Sequence, residues 1–124
     1  MLEIHQQNDI SSYSQYLYKL NIPQNDIQVI EAVGKGSIIG FAIFTYNGDT
    51  VKIFYLDYNN DKYLCDGIIR TILLKASLLN IDKAEFLTDS LGIIEELGFI
   101  QKGNCILSSI KSVMDGCRNC KNSC

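Results

Sequence analysis

Apolar residues recur along this chain at two spacings, and each change of spacing marks a change of element. Leu2-Glu3-Ile4 alternates as a strand does, and Tyr13, Tyr16, Leu17 and Leu20 then fall at i, i+3, i+4 and i+7, the repeat of a one-faced helix. Ser11 and Ser12 are its expected N-caps, and Pro23 stops it by displacing the preceding residue from helical angles. Ile27 to Val33 is rich in β-branched residues, turns at Gly34-Lys35-Gly36 and leads into a strand from Ser37 to Tyr46. Asn47-Gly48-Asp49 is a hairpin signal, so a strand from Thr50 to Leu56 completes a meander. A helix from about Leu64 to Leu79 places Ile68, Ile69, Ile72, Leu73, Ala76 and Leu79 on one broad face. Ala84 to Thr88 reads as a strand parallel to the one before that helix, joined by a right-handed crossover. Leu91 to Leu97 is a short helix closed by Gly98, and Phe99 to Gly103 and Cys105 to Ile110 are expected to close the sheet as strands. The fold class is α+β: a mainly antiparallel twisted sheet with one central parallel pair and helices on both faces.

Composition narrows the picture. The 124 residues suit one domain, residues 1–110, with a tail over 111–124, and 47% hydrophobic against 20% charged residues argues for a packed core. Net charge is -3 with no basic stripe, which argues against nucleic acid as a partner. The longest apolar runs fall short of the roughly 18 to 20 residues of a membrane span. The opening Met1 to Gln7 lacks the pattern of a secretory signal, so a soluble, cytoplasmic protein without a membrane partner is expected.

The run Val51 to Leu56 passes through a polar loop, Asp57 to Lys62, towards Gly67. The first N–H groups of a helix lack partners within it and carry the positive end of its dipole, so a helix opened by Gly67 would offer an anion the N–H groups of Gly67 to Ile69. The plainer alternative is a glycine that eases a loop into a helix.

The order of elements, with Glu96-Leu97-Gly98-Phe99 after the short helix, resembles the GNAT family of acyl-CoA-dependent N-acyltransferases over residues 1 to about 110. The resemblance implies acetyl or other short acyl transfer from acetyl-CoA to a small-molecule or peptide amine, by direct attack. In that family the pyrophosphate lies on a turn of the form Arg/Gln-x-x-Gly-x-Gly/Ala, followed by two aliphatics. Gly67 to Leu73 follows this order, with Leu64 at the Arg/Gln position, Ile69 at the second small position, and Ile72 and Leu73 as the pair. The resemblance thus assigns cofactor contact to Leu56, Tyr58, Gly67, Ile68, Ile69 and Arg70. It makes Asp57 the first candidate base and Asp89 the second, with Tyr55 and Tyr58 orienting water or substrate. Ile94 stands where relatives carry a proton-donating Tyr, so the acid must be another residue or water. Relatives line the acceptor site with their first helices, here the one bearing Tyr13, Tyr16 and Tyr18. Asp57 also reads as a solvated loop carboxylate, Arg70 as a solvent-facing helix residue, and His5 has no Cys, Ser or second His near it in sequence.

Cys117, Cys120 and Cys124 fall inside the last eight residues. A Cys-x-x-Cys turn converges two thiolates, so zinc or an iron-sulfur cluster is one reading, with Cys105 or a partner chain completing the shell. A redox pair and an idle tail are the others. Against the enzyme stand two further readings: a catalytically silent GNAT-like binding module with a metal or redox tail, and a small α+β domain that forms a homodimer.

Overall fold

The computed structural model describes residues 2–22 and 26–115. Its strands are β1 (Glu3–Gln7), β2 (Ile27–Gly34), β3 (Ser37–Asn47), β4 (Thr50–Asp57), β5 (Lys83–Phe86) and β6 (Ile106–Leu107). Its helices are a 3-10 turn (Ser11–Tyr13) running into α1 (Ser14–Lys19), then α2 (Lys62–Leu78), α3 (Leu91–Glu96) and α4 (Ile110–Asp115). The strands form one six-stranded sheet in chain order, antiparallel except where β4 and β5 run parallel across the α2 crossover. Sharp turns make the meander: Lys35 and Gly36 between β2 and β3, and Gly48 between β3 and β4, adopt φ of 54°, 79° and 64°.

Alternation along the strands sorts side chains into two apolar layers. Ile30, Ala32, Ala42, Phe44, Val51 and Ile53 face α2, whose Leu64, Cys65, Ile68, Ile69, Ile72, Leu73 and Ala76 meet them. Val29, Phe41 and Ile43 face the other way, under Tyr13, Leu17 and Ile22. Each large side chain removed from water contributes about 1.5 to 3 kcal/mol, which anchors α2 far more firmly than its helix propensity does. The α1 layer also buries an acid. Glu31, only 4% exposed, accepts hydrogen bonds from the Tyr13 hydroxyl and from Gln7 Nε2 at 3.1 Å, with His5 Nε2 3.8 Å away. Tyr13→Phe removes one of these donors and should cost about 1 to 3 kcal/mol, read as a lowered denaturation midpoint. An unchanged midpoint would mean that water replaces the phenol.

Three expectations change. Phe99 to Gly103 is not a strand: Phe99 and Ile100 are consecutive yet both buried, which no alternating strand facing one core allows, and Gly98 and Gly103 turn the chain with φ of 90° and 80°. The last strand is only Ile106–Leu107, because Ile110 starts a helix against α2, fixed by its N–H on Asp82 O at 2.7 Å. At the first helix, neither Ser11 nor Ser12 caps; Asp9 Oδ1 instead accepts from the Ser11 N–H and hydroxyl, at 3.1 and 2.7 Å. Among the described residues no helix is long and apolar enough to cross a membrane.

Candidate functional site

The cleft arises where β4 leaves its parallel neighbour. Pairing with β5 ends at Ile53 and Phe86, with a last hydrogen bond from the Leu87 N–H to Ile53 O at 2.8 Å. From Phe54 to Asp57, β4 is paired with β3 on one side only, so its other backbone edge is open. A bulge in the same segment shifts the register between Ile43/Tyr55 and Phe44/Ile53. One extra residue inverts the alternation: Leu56 turns into the α2 core, and Phe54 and Tyr55 join the α1 layer. Asn59 and Asn60, with φ of 52° and 55°, then wrap the chain into α2, a conformation that asparagine tolerates better than most residues.

Two hollows meet at this point. One, of about 370 Å³, lies at the open edge, lined by Tyr55, Leu56, Asp57, Tyr58, Asn59, Asn60 and Ser90. The other, of about 580 Å³, lies towards α1, where Ser12, Tyr13, Gln15 and Tyr16 face Gly40 and Phe41. Asp57 and Asn59 line both, and the Asn59 N–H donates to Asp57 Oδ1 at 3.3 Å. The rings of Tyr13, Phe41, Tyr55 and Tyr16 form a continuous aromatic wall, with neighbouring centroids 4.7, 5.4 and 5.1 Å apart. Among the described residues, neither lining contains a Lys, Arg or His. Burial, followed by the charges of Tyr16, Asp57 and Asp89, pushes the Tyr55 phenol above its usual range, so it keeps its proton at neutral pH. The phenol of Tyr55, expected from the sequence only to orient water or substrate, is thus neutral and lines the open-edge hollow with Asp57.

The residues assigned to the cofactor separate into two groups. Leu56 and Tyr58 line the open-edge hollow, whereas Gly67, Ile68 and Ile69 lie in the interior of α2. Ile68 and Ile69 are 0% exposed, packed in the core and with no surface for a ligand. Arg70 is bound to Asp66 at 3.0 Å and lies over the Phe99 ring. The helix begins at Lys62, where Asp61 supplies the side-chain acceptor that a glycine lacks: its carboxylate accepts from the N–H groups of Tyr63 and Leu64, at 3.0 and 3.2 Å. The expectation that Gly67 opens the helix is therefore corrected. Asn59-Asn60-Asp61 carried the missed signal, two residues suited to positive φ followed by a cap. The α2 end does not fit the diphosphate of CoA as arranged. Asp61 already uses two of its N–H groups, Lys62 Nζ is held by Glu96 at 2.6 Å, and Tyr63 occupies the first turn. Asp89 is exposed at the end of the next strand, outside both hollow linings.

Among the described residues no cluster of three metal-ligating side chains occurs; Cys105 is half-buried with a free thiol, and Cys117, Cys120 and Cys124 lie outside the described residues. Cys65, wholly inside the core, has its thiol pushed up to about 11, first by burial and then by the Asp66 charge. Iodoacetamide should label Cys105 and leave Cys65 untouched until denaturant is added, as read by peptide mass mapping. Labelling of native Cys65 would show that α2 opens locally.

No family model matches the chain, and no curated protein matches it in sequence. Solved structures do. The ribosomal-protein-S18-alanine N-acetyltransferase from Escherichia coli superposes with TM-score 0.63 at 12% identity, covering 81% of this chain and 78% of that one. The IAA acetyltransferase from Bacillus cereus gives 0.63 at 16%, covering 81% and 77%. An acetyltransferase from Bacillus subtilis in complex with CoA gives 0.61 at 17%, covering 81% and 77%. The fold is that of the GNAT acetyltransferases, with the parallel β4–β5 pair at its centre.

Proposed function

We propose that this chain is an N-acyltransferase that moves a short acyl group from a thioester to an amine by direct attack. The observation that carries this reading is the position of Asp57, an acidic residue that lines both hollows. The open edge of β4 offers unpaired N–H and C=O groups to the amides of a thioester arm in the smaller hollow. The aromatic wall and the single negative charge of the larger hollow suit an amine, whether a small molecule or a peptide end.

The chemistry then balances without an acyl-enzyme. As the amine nitrogen bonds to the carbonyl carbon, its departing proton passes to Asp57; the carbon–sulfur bond breaks, and the thiolate takes a proton from Tyr55. Asp57 then returns its proton to the tyrosinate, directly or through a relaying water, so the amine has lost one proton, the thiol has gained one and both side chains are restored. Acetyl-CoA, the donor implied by the resemblance, and acetyl-pantetheine are the probes. The full chain with either thioester and a panel of primary amines should yield acetylated amine by mass spectrometry and equimolar free thiol. Absence of product with every pair overturns the enzyme reading.

A second reading, a catalytically silent binding module, is favoured by the occupied N–H groups at the α2 end and by Ile94 at the position of the family's proton donor. It predicts thioester binding without product in the same experiment.

A further inference from the structure

Resting on the thioester reading, we infer that the donor is recognised through its acyl-pantetheine end alone, and that Asp61 turns away a diphosphate. The preferred donors are thioesters of pantetheine, rather than of CoA. Asp61 is the residue that sets this preference.

A diphosphate beside a helix end is held by free N–H groups, by the dipole and by nearby cations. Each of these is already used at α2. The N–H groups of Tyr63 and Leu64 point at the Asp61 carboxylate, whose charge sits where the anion would sit. Two cations of α2 are paired within the chain, Lys62 with Glu96 at 2.6 Å and Arg70 with Asp66 at 3.0 Å. Neither hollow beside the loop supplies a replacement, since among the described residues Asp57 is the only charged one in their linings. A doubly charged group brought to this end would therefore meet Asp61 and Asp57, with no unpaired cation among the described lining residues to offset them. The features that hold a neutral pantetheine arm are untouched: the open β4 edge, Tyr55, Tyr58 and the hollow itself. Discrimination against CoA thus comes from a repulsive element at the N-cap of α2, while attraction comes from the open β4 edge.

Two variants separate charge from geometry. Asp61→Asn keeps a capping side chain and removes the charge, whereas Asp61→Gly frees both N–H groups at little cost to the helix. Calorimetric titration of the full chain with acetyl-pantetheine and acetyl-CoA should show the wild type binding acetyl-pantetheine at least as tightly. Asp61→Gly should tighten acetyl-CoA on the order of tenfold, and Asp61→Asn by a smaller factor, with acetyl-pantetheine unchanged within about twofold in both. Thermal melts of the variants confirm that both are folded. Wild-type binding of acetyl-CoA tenfold tighter than acetyl-pantetheine, or no gain for acetyl-CoA in folded Asp61→Gly, overturns the inference about Asp61 and leaves the thioester reading standing. If the wild type and both variants bind neither probe, the thioester reading itself falls, and this inference with it.

Discussion

Asp57→Asn should lower the rate of acyl transfer by about 100-fold to 10,000-fold, the usual contribution of a positioned general base. The substitution keeps size and shape, and its Oδ1 can still accept the Asn59 N–H, so the loop into α2 is retained. The loss belongs to turnover. Thioester binding should be unchanged or stronger, because one negative charge leaves the wall that both hollows share. The measurement is thiol release against thioester concentration, with the amine that supports transfer in the wild type. A rate within threefold of wild type would remove Asp57 from the chemistry and move attention to Asp89, in the bend after β5, whose charge also bears on the Tyr55 phenol.

Gly40→Ala carries the largest expected effect on stability. A Cβ at Gly40 would lie 2.5 Å from the carbonyl oxygen of Asp57, 3.1 Å from Leu64 Cδ2 and 3.3 Å from Ile68 Cδ1. The first of these is backbone and cannot rotate away. β3 and β4 must separate where Phe41 pairs with Asp57, the residue pair that fixes the shared wall. Overpacking of this kind costs about 3 kcal/mol, which for a chain of 124 residues lowers Tm by roughly 10 °C. Gly67→Ala is the matching control, with the opposite sign. Its Cβ would meet only Ile4 Cδ1, at an ordinary 3.5 Å, and alanine inside a helix is favoured by about 0.5 to 1 kcal/mol over glycine. A rise in Tm for Gly67→Ala and a fall for Gly40→Ala would place the structurally required glycine on β3. Equal falls would contradict the helix start at Lys62.

Much of the fold is legible in the residues themselves. Gly34-Lys35-Gly36 and Asn47-Gly48 fix the meander, and the apolar face of Ile68, Ile69, Ile72, Leu73 and Ala76 fixes α2 against the sheet. Even the bulge leaves a trace, since Val51 and Ile53 keep one parity and Leu56 breaks it. The helix start was obscured by a competing signal. Gly67 suits an opening by its conformational freedom, while Asp61, whose side chain accepts the first N–H groups, stands in a run of polar loop residues. The final strand failed for another reason: Phe99-Ile100 has strand-like composition, but both side chains are drawn into one core, and only tertiary packing decides that. The Tyr13–Glu31 pair joins residues on different elements, and no local pattern announces it. Asp57 is a candidate on the family resemblance, and the structure places it in the linings of both hollows. The protonated Tyr55 beside it needed the bulge that turns its ring into the α1 layer.

The central claim is that an acyl thioester lies along the open edge of β4. Backbone amide spectra of the isotopically labelled chain, recorded while acetyl-pantetheine is added, test it most directly. Saturable shifts are expected for Tyr55 to Asn60 and for Ser90, with the amides of Gly67 to Ile69 unmoved inside α2. Saturable shifts centred on Gly67 to Ile69, or none along β4 at millimolar thioester, would contradict it.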